Sequence, residues 1–363
     1  MKILCISDQF EGVSHSAIEG IFAQHIQSYC ESDIVYFSKI KREPERHGYK
    51  IILPYSTKHR GFLRALSAVV SVDSYDLIIV RNFYSIASQL LVHKQRKFKL
   101  AFWETFPHEL RRVIEDPRSL RKRLGFWLKN TKNIKILNQC DLFLPVTHAY
   151  APEYYPTLKV PVYILPMGIN EAELESKELK ARAYSGVPLK FVYSGTIDQP
   201  REVFEIAKAF SKSVGDFQVD FFTQSQNKFV AQIESLQDPR IRVIKGMSRK
   251  ELLNLLQDYH IGLGLIPPSK LYIASLPTKT IEYAALGVIP LINFLPEYQR
   301  MFDRESAFFC DFEEESIKQA IHSILQKRPE ELCAMSQCVR QKASQKTYTQ
   351  IAKNFCEFLR DFL

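Results

Sequence analysis

The sequence predicts an α/β fold made of two doubly wound units in series. Short apolar stretches alternate with helix-prone ones, which is typical of parallel sheets covered by helices. The alternation restarts after a charged segment at residues 171–184. With 363 residues, 46% of them hydrophobic, the chain has enough apolar material for two cores. We expect one unit over residues 1–168 and a second over 169–345.

The first unit is expected to contain five strands. Leu77–Val80 is apolar at every position, as a parallel strand buried on both faces must be. A loop over 8–20 precedes a helix that begins near Ile21. The predicted strands are Lys2–Ser7, Asp33–Phe37, Leu77–Val80, Lys99–Trp103 and Asp141–Val146.

The second unit repeats this pattern and is followed by one more helix. A helix is predicted from about Thr278 to Leu286, and another over Tyr348–Leu363, where apolar residues recur at helical spacing. The predicted strands are Leu189–Ser194, Gln218–Phe222, Ile241–Ile244, Ile261–Ile266 and Val288–Ile292.

Charge and composition restrict the class of protein. The formal net charge of +9 favours polyanionic partners, namely nucleic acid, an anionic membrane face or phosphorylated ligands. The seven cysteines are scattered without zinc-site spacing, and no apolar run of about 20 residues occurs. We therefore expect a cytoplasmic protein with no transmembrane helix.

One stretch of the second unit carries residues suited to a nucleoside diphosphate. Thr278 stands where a helix should begin and can cap it, and the first turn of a helix attracts anions through its N–H groups and dipole. Lys279 adds a positive charge in that turn, and Glu282, three residues on, can accept hydrogen bonds from a ribose diol. The alternative is that Lys279 and Glu282 form an ordinary surface ion pair.

Four segments in order resemble the family 4-like glycosyltransferases of the GT-B fold. Residues 277–290, PTKTIEYAALGVIP, resemble the donor-site helix of that family, and residues 191–201, FVYSGTIDQPR, resemble its phosphate loop. Residues 166–170, PMGIN, resemble the segment at its domain junction, and residues 244–252, IKGMSRKEL, resemble the element beside its nucleotide base. The resemblance implies two Rossmann-like domains facing across a cleft, with a C-terminal helix at about 346–363 packing back onto the first.

The resemblance also implies roles for matching residues. Arg201 and Lys279 would bind the diphosphate and stabilise the leaving group, Glu282 would bind ribose, and Gly246 and Met247 would approach the base. The donor site is completed by Gly195, Thr196, Ser275 and Thr278. Two positions depart from the family: Thr196 replaces an arginine, and Ala274 replaces the first glutamate of a pair, where Ser275 or backbone would serve instead.

Acceptor binding is expected in the first unit. Glu11, Gly12 and His15 lie in a loop after the first strand, and Glu104 and His108 follow a later strand, at the usual ligand edge of such sheets. Glu104 and His108 are the candidates to orient the acceptor; the alternative is that both are surface or capping residues. Weaker candidates are Asn82, Tyr84 and Thr147. No Asp-x-Asp occurs, which favours a site without metal or other cofactor.

Residues 111–135 carry nine basic side chains against two acidic ones. Leu120, Leu124, Trp127 and Leu128 recur there at helical spacing. A basic amphipathic helix with tryptophan can lie on an anionic bilayer. The alternative is a solvated helix whose apolar stripe packs on its own sheet. Nucleic-acid binding is disfavoured, because no recognised module accompanies the charge.

The function that these patterns predict is transfer of a sugar from a UDP- or GDP-linked donor to a glycan or lipid-linked acceptor. The resemblance implies retention of the anomeric configuration, and we expect a role in cell-envelope polysaccharide or glycolipid synthesis at the inner face of the plasma membrane. The alternatives are a catalytically weak or inactive partner subunit of the same fold and a sugar-nucleotide epimerase, which would act on the donor alone.

Overall fold

The computed structural model describes residues 1–13, 15–40, 42–93, 96–114, 119–171, 184 and 187–363. The chain forms two compact units. The first comprises Met1–Asn170 together with Thr347–Leu363, and the second comprises Glu171–Lys346. The charged segment predicted at 171–184 lies almost entirely outside the described residues.

In the described part of the first unit, seven strands form one sheet in the order β3-β4-β2-β1-β5-β6-β7. Neighbouring strands are parallel, except β3, which runs antiparallel to β4. Helices cover the sheet, so its central strands are mostly buried on both faces, and each contains an unbroken apolar run. The strands are β1 Lys2–Phe10, β2 Glu31–Ser38, β3 Glu45–His47, β4 Lys50–Pro54, β5 Leu77–Arg81, β6 Lys99–Glu104 and β7 Leu142–Pro145.

The C-terminal helix, Tyr348–Phe362, packs in the core of this first unit. Its residues Tyr348, Phe355 and Leu359 are fully buried. The π-helix Ile18–His25 approaches it so closely that a Cβ at Gly20 would lie 2.3 Å from the Tyr348 ring. The α-helices described in this unit are Phe62–Ser67, Tyr84–Leu91, His108–Ile114, Leu120–Leu137, Tyr150–Tyr154 and Tyr348–Phe362.

The described part of the second unit holds a six-stranded parallel sheet in the order β10-β9-β8-β11-β12-β13. Its strands are β8 Leu189–Ser194, β9 Phe217–Thr223, β10 Ile241–Lys245, β11 Ile261–Leu263, β12 Ile289–Ile292 and β13 Phe308–Phe309. Its α-helices are Val203–Ser211, Lys228–Glu234, Arg249–Leu256, Thr278–Ala285, Pro296–Met301, Glu314–Leu325 and Pro329–Ser344.

Each predicted strand is present, and the predicted α/β class with two parallel, Rossmann-like units is confirmed. Three strands were not predicted from the sequence, namely β3, β4 and β13, which are short and lie at or next to a sheet edge. It also extended β11 too far: the strand ends at Leu263, and residues 264–266 already belong to the following loop. Short edge strands carry little periodicity, so packing rather than sequence pattern defines them.

Within the described residues, every helix is too short or too polar to span a membrane.

Candidate functional site

The helix Thr278–Ala285, called here the Thr278 helix, is held tightly against the sheet of the second unit. A Cβ at Gly262 would lie 2.3 Å from the Tyr283 ring, and one at Gly264 would lie 2.4 Å from Cγ2 of Thr280. Only glycine at these two positions permits this approach, since real Cβ contacts are not that short. The Tyr283 hydroxyl in turn accepts the N–H of Ser194, at 2.7 Å, which fixes the helix to β8. The strand and the helix therefore form a rigid support for the helix N-terminus.

The prediction that Thr278 caps this helix is wrong. The N-cap is Pro277, in an extended conformation, and Thr278 is the first helical residue. No side chain caps the helix; instead, the Thr280 hydroxyl donates to the Pro277 carbonyl at 2.6 Å. The N–H groups of a first helical turn have no partner within the helix. With no side-chain cap, those of Thr278 and Lys279 are available to an anion.

Lys279 lies in this first turn with its ammonium over an aromatic face. Its Nζ is 3.6 Å from the centroid of the Tyr193 ring. Burial, together with the nearby Arg201 guanidinium, holds the pKa of Lys279 well below its usual value. Within the described residues, no carboxylate forms an ion pair with it. A cation held in this way is suited to bind an anion, because the opposite charge would compensate the desolvation of the ammonium and offset the repulsion from Arg201.

Arg201 reaches the same place from the loop after β8. It ends the 3₁₀ turn Gln199–Arg201, and its Nη1 donates to Asp198 at 2.5 Å. Its guanidinium carbon lies 6.0 Å from the centroid of the Tyr272 ring. The structure thus brings the predicted pair Arg201 and Lys279 together, although they are far apart in sequence.

Glu282 lies one turn along the Thr278 helix and is buried. Its Oε1 accepts a hydrogen bond from Nη1 of Arg249 at 2.5 Å. Lys279 and Glu282 therefore do not form the surface ion pair that was the alternative. Arg249 was not predicted as a site residue, although it stands two residues after Met247 in the segment that resembles the base-binding element of the family. Its charge in that segment was the available signal.

The remaining donor-side residues line the loops after β8, β10 and β11. Gly195 has φ +138°, and the carbonyl of the exposed Thr196 accepts the Tyr193 hydroxyl at 2.7 Å. Gly246 has φ +79°, a left-handed conformation suited to glycine. The Met247 carbonyl accepts Nε2 of Gln224 at 2.6 Å.

Ser275 and Ala274 lie in the loop before the Thr278 helix. The Ser275 side chain is partly buried, and the Ser275 N–H donates to Tyr272 at 2.8 Å. Ala274 is buried, and its methyl group offers no polar contact at this position. The predicted binding roles of the donor-side residues stay predictions.

The first unit holds a largely buried ion pair at the carboxyl ends of β1 and β5, which was not predicted from the sequence. Asp8 pairs with Arg81. Nη2 of Arg81 lies 2.9 Å from Nε2 of His15; because a guanidinium only donates, that nitrogen accepts. Asn82, at φ +58°, donates to the other Asp8 oxygen at 2.7 Å and accepts the N–H of Thr105 at 3.0 Å. A charged residue following an apolar run on two neighbouring strands was the signal.

Glu104 and His108, predicted to act together, lie in different surroundings. Burial raises the pKa of Glu104 to about 8, and its neighbours are the hydroxyls of Tyr155 and Tyr84, which are 2.8 Å apart. His108 is exposed and begins the helix His108–Ile114, so it is the surface residue that the alternative described. Partial burial of its ring lowers its pKa, and its charged neighbours include Asp8 and Arg81. Glu104 is therefore a buried carboxyl, neutral for the most part at neutral pH, rather than a surface residue. The acceptor roles of both residues stay predictions.

Glu11 and Gly12 line a cavity of about 480 Å³ in the first unit, together with Glu19, Tyr36 and Lys50. The Ser38 hydroxyl donates to Glu11 at 2.7 Å, and this bond, with the Arg42 guanidinium, holds the pKa of Glu11 below its usual value. The cavity therefore presents an ionised carboxylate, a group that can accept hydrogen bonds from hydroxyls. The predicted candidates are thus divided: Glu11 and Gly12 line this cavity, whereas His15 contacts the Asp8–Arg81 pair. Thr147 is buried.

The basic stretch forms the helix Leu120–Leu137, called here the basic helix. The side chains of Leu120, Leu124, Trp127 and Leu128 are between 55% and 76% exposed. The alternative in which this apolar stripe packs on its own sheet is therefore wrong for these four residues. Of the acidic and basic residues counted in the sequence, Glu115, Asp116, Arg118 and the side chain of Arg112 lie outside the described part of the chain.

No family model and no curated protein sequence matches this chain. Solved structures do match it over nearly the full length. A sucrose-phosphate synthase from Thermosynechococcus elongatus has a TM-score of 0.74 at 13% identity, with 99% of this chain and 98% of that one covered. The lipopolysaccharide outer core galactosyltransferase WaaB, in its apo form, has a TM-score of 0.69 at 10% identity, with both chains fully covered.

A third match is an E. coli protein described under the name trehalose-6-phosphate, whose structure was solved bound with UDP-2-fluoro glucose. Its TM-score is 0.71 at 10% identity, with 100% of this chain and 99% of that one covered. Identities this low show the fold and not the activity. The chain has the GT-B fold of glycosyltransferases.

Proposed function

We propose that this protein is a glycosyltransferase that takes its sugar from a nucleoside diphosphate donor bound to the second unit. The observation that carries the proposal is the meeting of Lys279 and Arg201 at the uncapped start of the Thr278 helix, one turn before the buried Glu282. The cations suit a diphosphate, and the carboxylate suits the hydroxyl groups of a ribose. The E. coli protein of this fold that is bound with UDP-2-fluoro glucose supports such a donor.

The same residues fit the chemistry of the transfer. When the bond between the sugar and the diphosphate breaks, negative charge grows on the leaving phosphate. Arg201, Lys279 and the first-turn N–H groups could stabilise that charge, and one such donor is worth about 3–4 kcal/mol of barrier in comparable sites. We propose that transfer needs no metal, because this cationic cluster could stabilise the leaving group in place of one. We also propose that transfer is retaining, as the family resemblance implies.

The acceptor in this proposal is a glycan or a lipid-linked sugar held by the first unit. The cavity beside Glu11 and Gly12 combines carboxylates, a lysine and a tyrosine, which are groups that bind hydroxyls. We place the reaction in cell-envelope polysaccharide or glycolipid synthesis on the cytoplasmic side of the membrane, and the galactosyltransferase of the same fold supports this class of acceptor.

Replacing Glu282 by glutamine tests the donor site. We expect the variant to bind the preferred one of UDP and GDP about 1.5 kcal/mol more weakly, roughly tenfold, because a charged acceptor for the ribose is lost. Isothermal titration calorimetry measures this. Glu234→Gln, which removes an exposed carboxylate paired with Lys245, is the matched control and should leave affinity unchanged. Equal affinity in wild type and Glu282→Gln would remove the basis of the proposal.

Turnover distinguishes an enzyme from a partner subunit that retains the fold. Thr196 and Ala274 favour the subunit, because a cation and a carboxylate of the resembled family are missing there. Release of UDP or GDP from a panel of nucleotide sugars, in the presence of cell-envelope glycolipid acceptors, identifies an enzyme. Nucleotide binding with no release of UDP or GDP, and with every donor sugar recovered unchanged, would identify the subunit; a donor converted without acceptor would identify an epimerase.

We further propose that the basic helix docks on an anionic membrane. Its apolar stripe is exposed, and the helix contains no aspartate or glutamate. Exposed basic residues flank the stripe: Arg121, Lys122, Arg123, Lys129, Lys132 and Lys135. Apolar side chains between cations match the boundary between headgroups and acyl chains. Such a surface would bring the protein to a lipid-linked acceptor.

Flotation with vesicles tests this surface. We expect the protein to float with phosphatidylglycerol-containing vesicles and to remain in the bottom fraction when the vesicles contain phosphatidylcholine alone. Lys122→Gln should weaken partitioning by about 1 kcal/mol, roughly fivefold, and Trp127→Ser should weaken it as well. Val214→Ser removes a highly exposed apolar side chain of the second unit and serves as the control. Equal partitioning of the protein onto anionic and neutral vesicles would contradict the proposal.

A further inference from the structure

Arg249 contacts the Glu282 carboxylate but is not one of the groups proposed to bind the donor. It is the first residue of the helix Arg249–Leu256, and its guanidinium donates to the buried Glu282 at 2.5 Å. The two residues come from different elements of the unit. Their contact therefore depends on tertiary packing and links the loop after β10 to the Thr278 helix.

Both ends of this contact are held in place by other bonds. The start of the Arg249 helix is fixed by a capping box, in which Ser248 and Glu251 exchange backbone and side-chain hydrogen bonds. The preceding residue, Met247, is held through its carbonyl by Gln224. On the other side, the Thr278 helix is fixed by its glycine contacts with β11. The guanidinium therefore meets the carboxylate in a defined geometry.

The charges of the pair are unequally exposed. The side chain of Glu282 is 8% exposed, whereas that of Arg249 is 46% exposed. A buried carboxylate needs a partner to stay ionised and oriented. Arg249 supplies that partner while keeping part of its guanidinium at the surface, where a ligand can reach it.

We propose that Arg249 is a positioning residue that orients the Glu282 carboxylate for a ribose diol and so makes the site select nucleotides over other diphosphates. This rests on the proposed function of the same site. The phosphate-binding cations Lys279 and Arg201 are separate from the pair, so they bind the diphosphate whether or not a ribose is attached. Selection for the nucleoside then depends on the Arg249–Glu282 contact.

The test compares ligands that differ in the ribose. Wild type, Arg249→Gln, Arg249→Lys and Glu282→Gln are titrated with UDP, 2′-deoxy-UDP and inorganic pyrophosphate, or with GDP and 2′-deoxy-GDP where guanine binds more tightly. We expect wild type to prefer the ribonucleotide over its deoxy form roughly tenfold, and Arg249→Gln to reduce the preference to within about twofold.

Pyrophosphate affinity should stay unchanged in Arg249→Gln, because the cations that bind phosphate are intact. Arg249→Lys should restore part of the preference, since lysine keeps the charge but not the fork-shaped geometry. Lys250→Gln, at the next and exposed position of the same helix, is the matched control. Thermal melting confirms that each variant is folded.

The outcomes separate this inference from the proposed function. If Glu282→Gln abolishes the ribose preference and Arg249→Gln keeps it, Arg249 has no positioning role and only the inference falls. Equal losses of UDP and pyrophosphate affinity in Arg249→Gln would also overturn it. If wild type binds no nucleotide, or if Glu282→Gln changes nothing, both proposals fall together.

Discussion

Replacing Asp8 by alanine is expected to destabilise the first unit by about 3–5 kcal/mol, the range for breaking a buried ion pair. Arg81, only 4% exposed, would be left without its carboxylate. The Trp103 ring, 5.1 Å from the guanidinium, would replace only a small part of that interaction. Of all the substitutions considered, this one has the largest expected effect.

Denaturant unfolding followed by tryptophan fluorescence measures this loss. The only two tryptophans of the chain, Trp103 and Trp127, both belong to the first unit, so the signal reports that unit. Glu31→Ala, which breaks an exposed pair with Lys2, should change stability by less than about 1 kcal/mol. The double variant Asp8→Leu/Arg81→Met should recover much of the loss, because no charge then remains buried. A loss of under about 1 kcal/mol in Asp8→Ala would contradict the buried pair.

The same pair predicts how acid affects stability. Burial alone would raise the pKa of Asp8, but the Arg81 guanidinium and hydrogen bonds from Asn82 and Gln9 hold it below its usual value. The folded state therefore binds a proton less readily than the unfolded state. The stabilisation is present above the unfolded pKa and is lost as the pH falls through the folded one. The acid-induced loss of stability should be smaller in Asp8→Ala than in wild type.

Replacing Lys279 by methionine is expected to weaken binding of a nucleoside diphosphate by about 2 kcal/mol, roughly 30-fold. The variant should also lack the uptake of a proton that accompanies binding in wild type. Burial and Arg201 lower the pKa of Lys279 in the ligand-free protein. A bound diphosphate would raise it again, because the anion favours the ammonium form. Binding would then take up a proton between the two pKa values, so wild-type affinity should fall as the pH rises through that window, by up to about tenfold per pH unit.

Calorimetry in two buffers of different ionisation enthalpy counts the protons directly. The pH should be slightly alkaline, where the phosphates of the nucleotide are already ionised and do not contribute. Lys318→Met, which removes a partly exposed lysine paired with Glu315, is the control and should retain wild-type affinity and proton uptake. Equal affinity in Lys279→Met and wild type would show that the diphosphate binds elsewhere.

Several features of the site could be predicted from the sequence because they depend on neighbours along the chain. A loop followed by Pro277-Thr278-Lys279 predicted a helix start with a cation, and the helix begins at Thr278. The identity of the cap could not be predicted, because Thr278 and Pro277 both suit a helix start and only the backbone geometry distinguishes them. The exposure of the apolar stripe on the basic helix could not be predicted either, because periodicity defines a helix face but not what covers it.

The sequence by itself determined the α/β class, the two parallel-stranded units and the order of their central strands along the chain, because buried parallel strands are continuously apolar and alternate with helices. Only the tertiary structure decided which distant charges meet. Asp8 pairs with Arg81, and Glu282 pairs with Arg249, each from a separate element. The meeting of Lys279 with Arg201 was implied by the family resemblance and not by the spacing of the residues. Such pairings depend on strand order and helix packing across the sheet, and neither is encoded in the local spacing of residues.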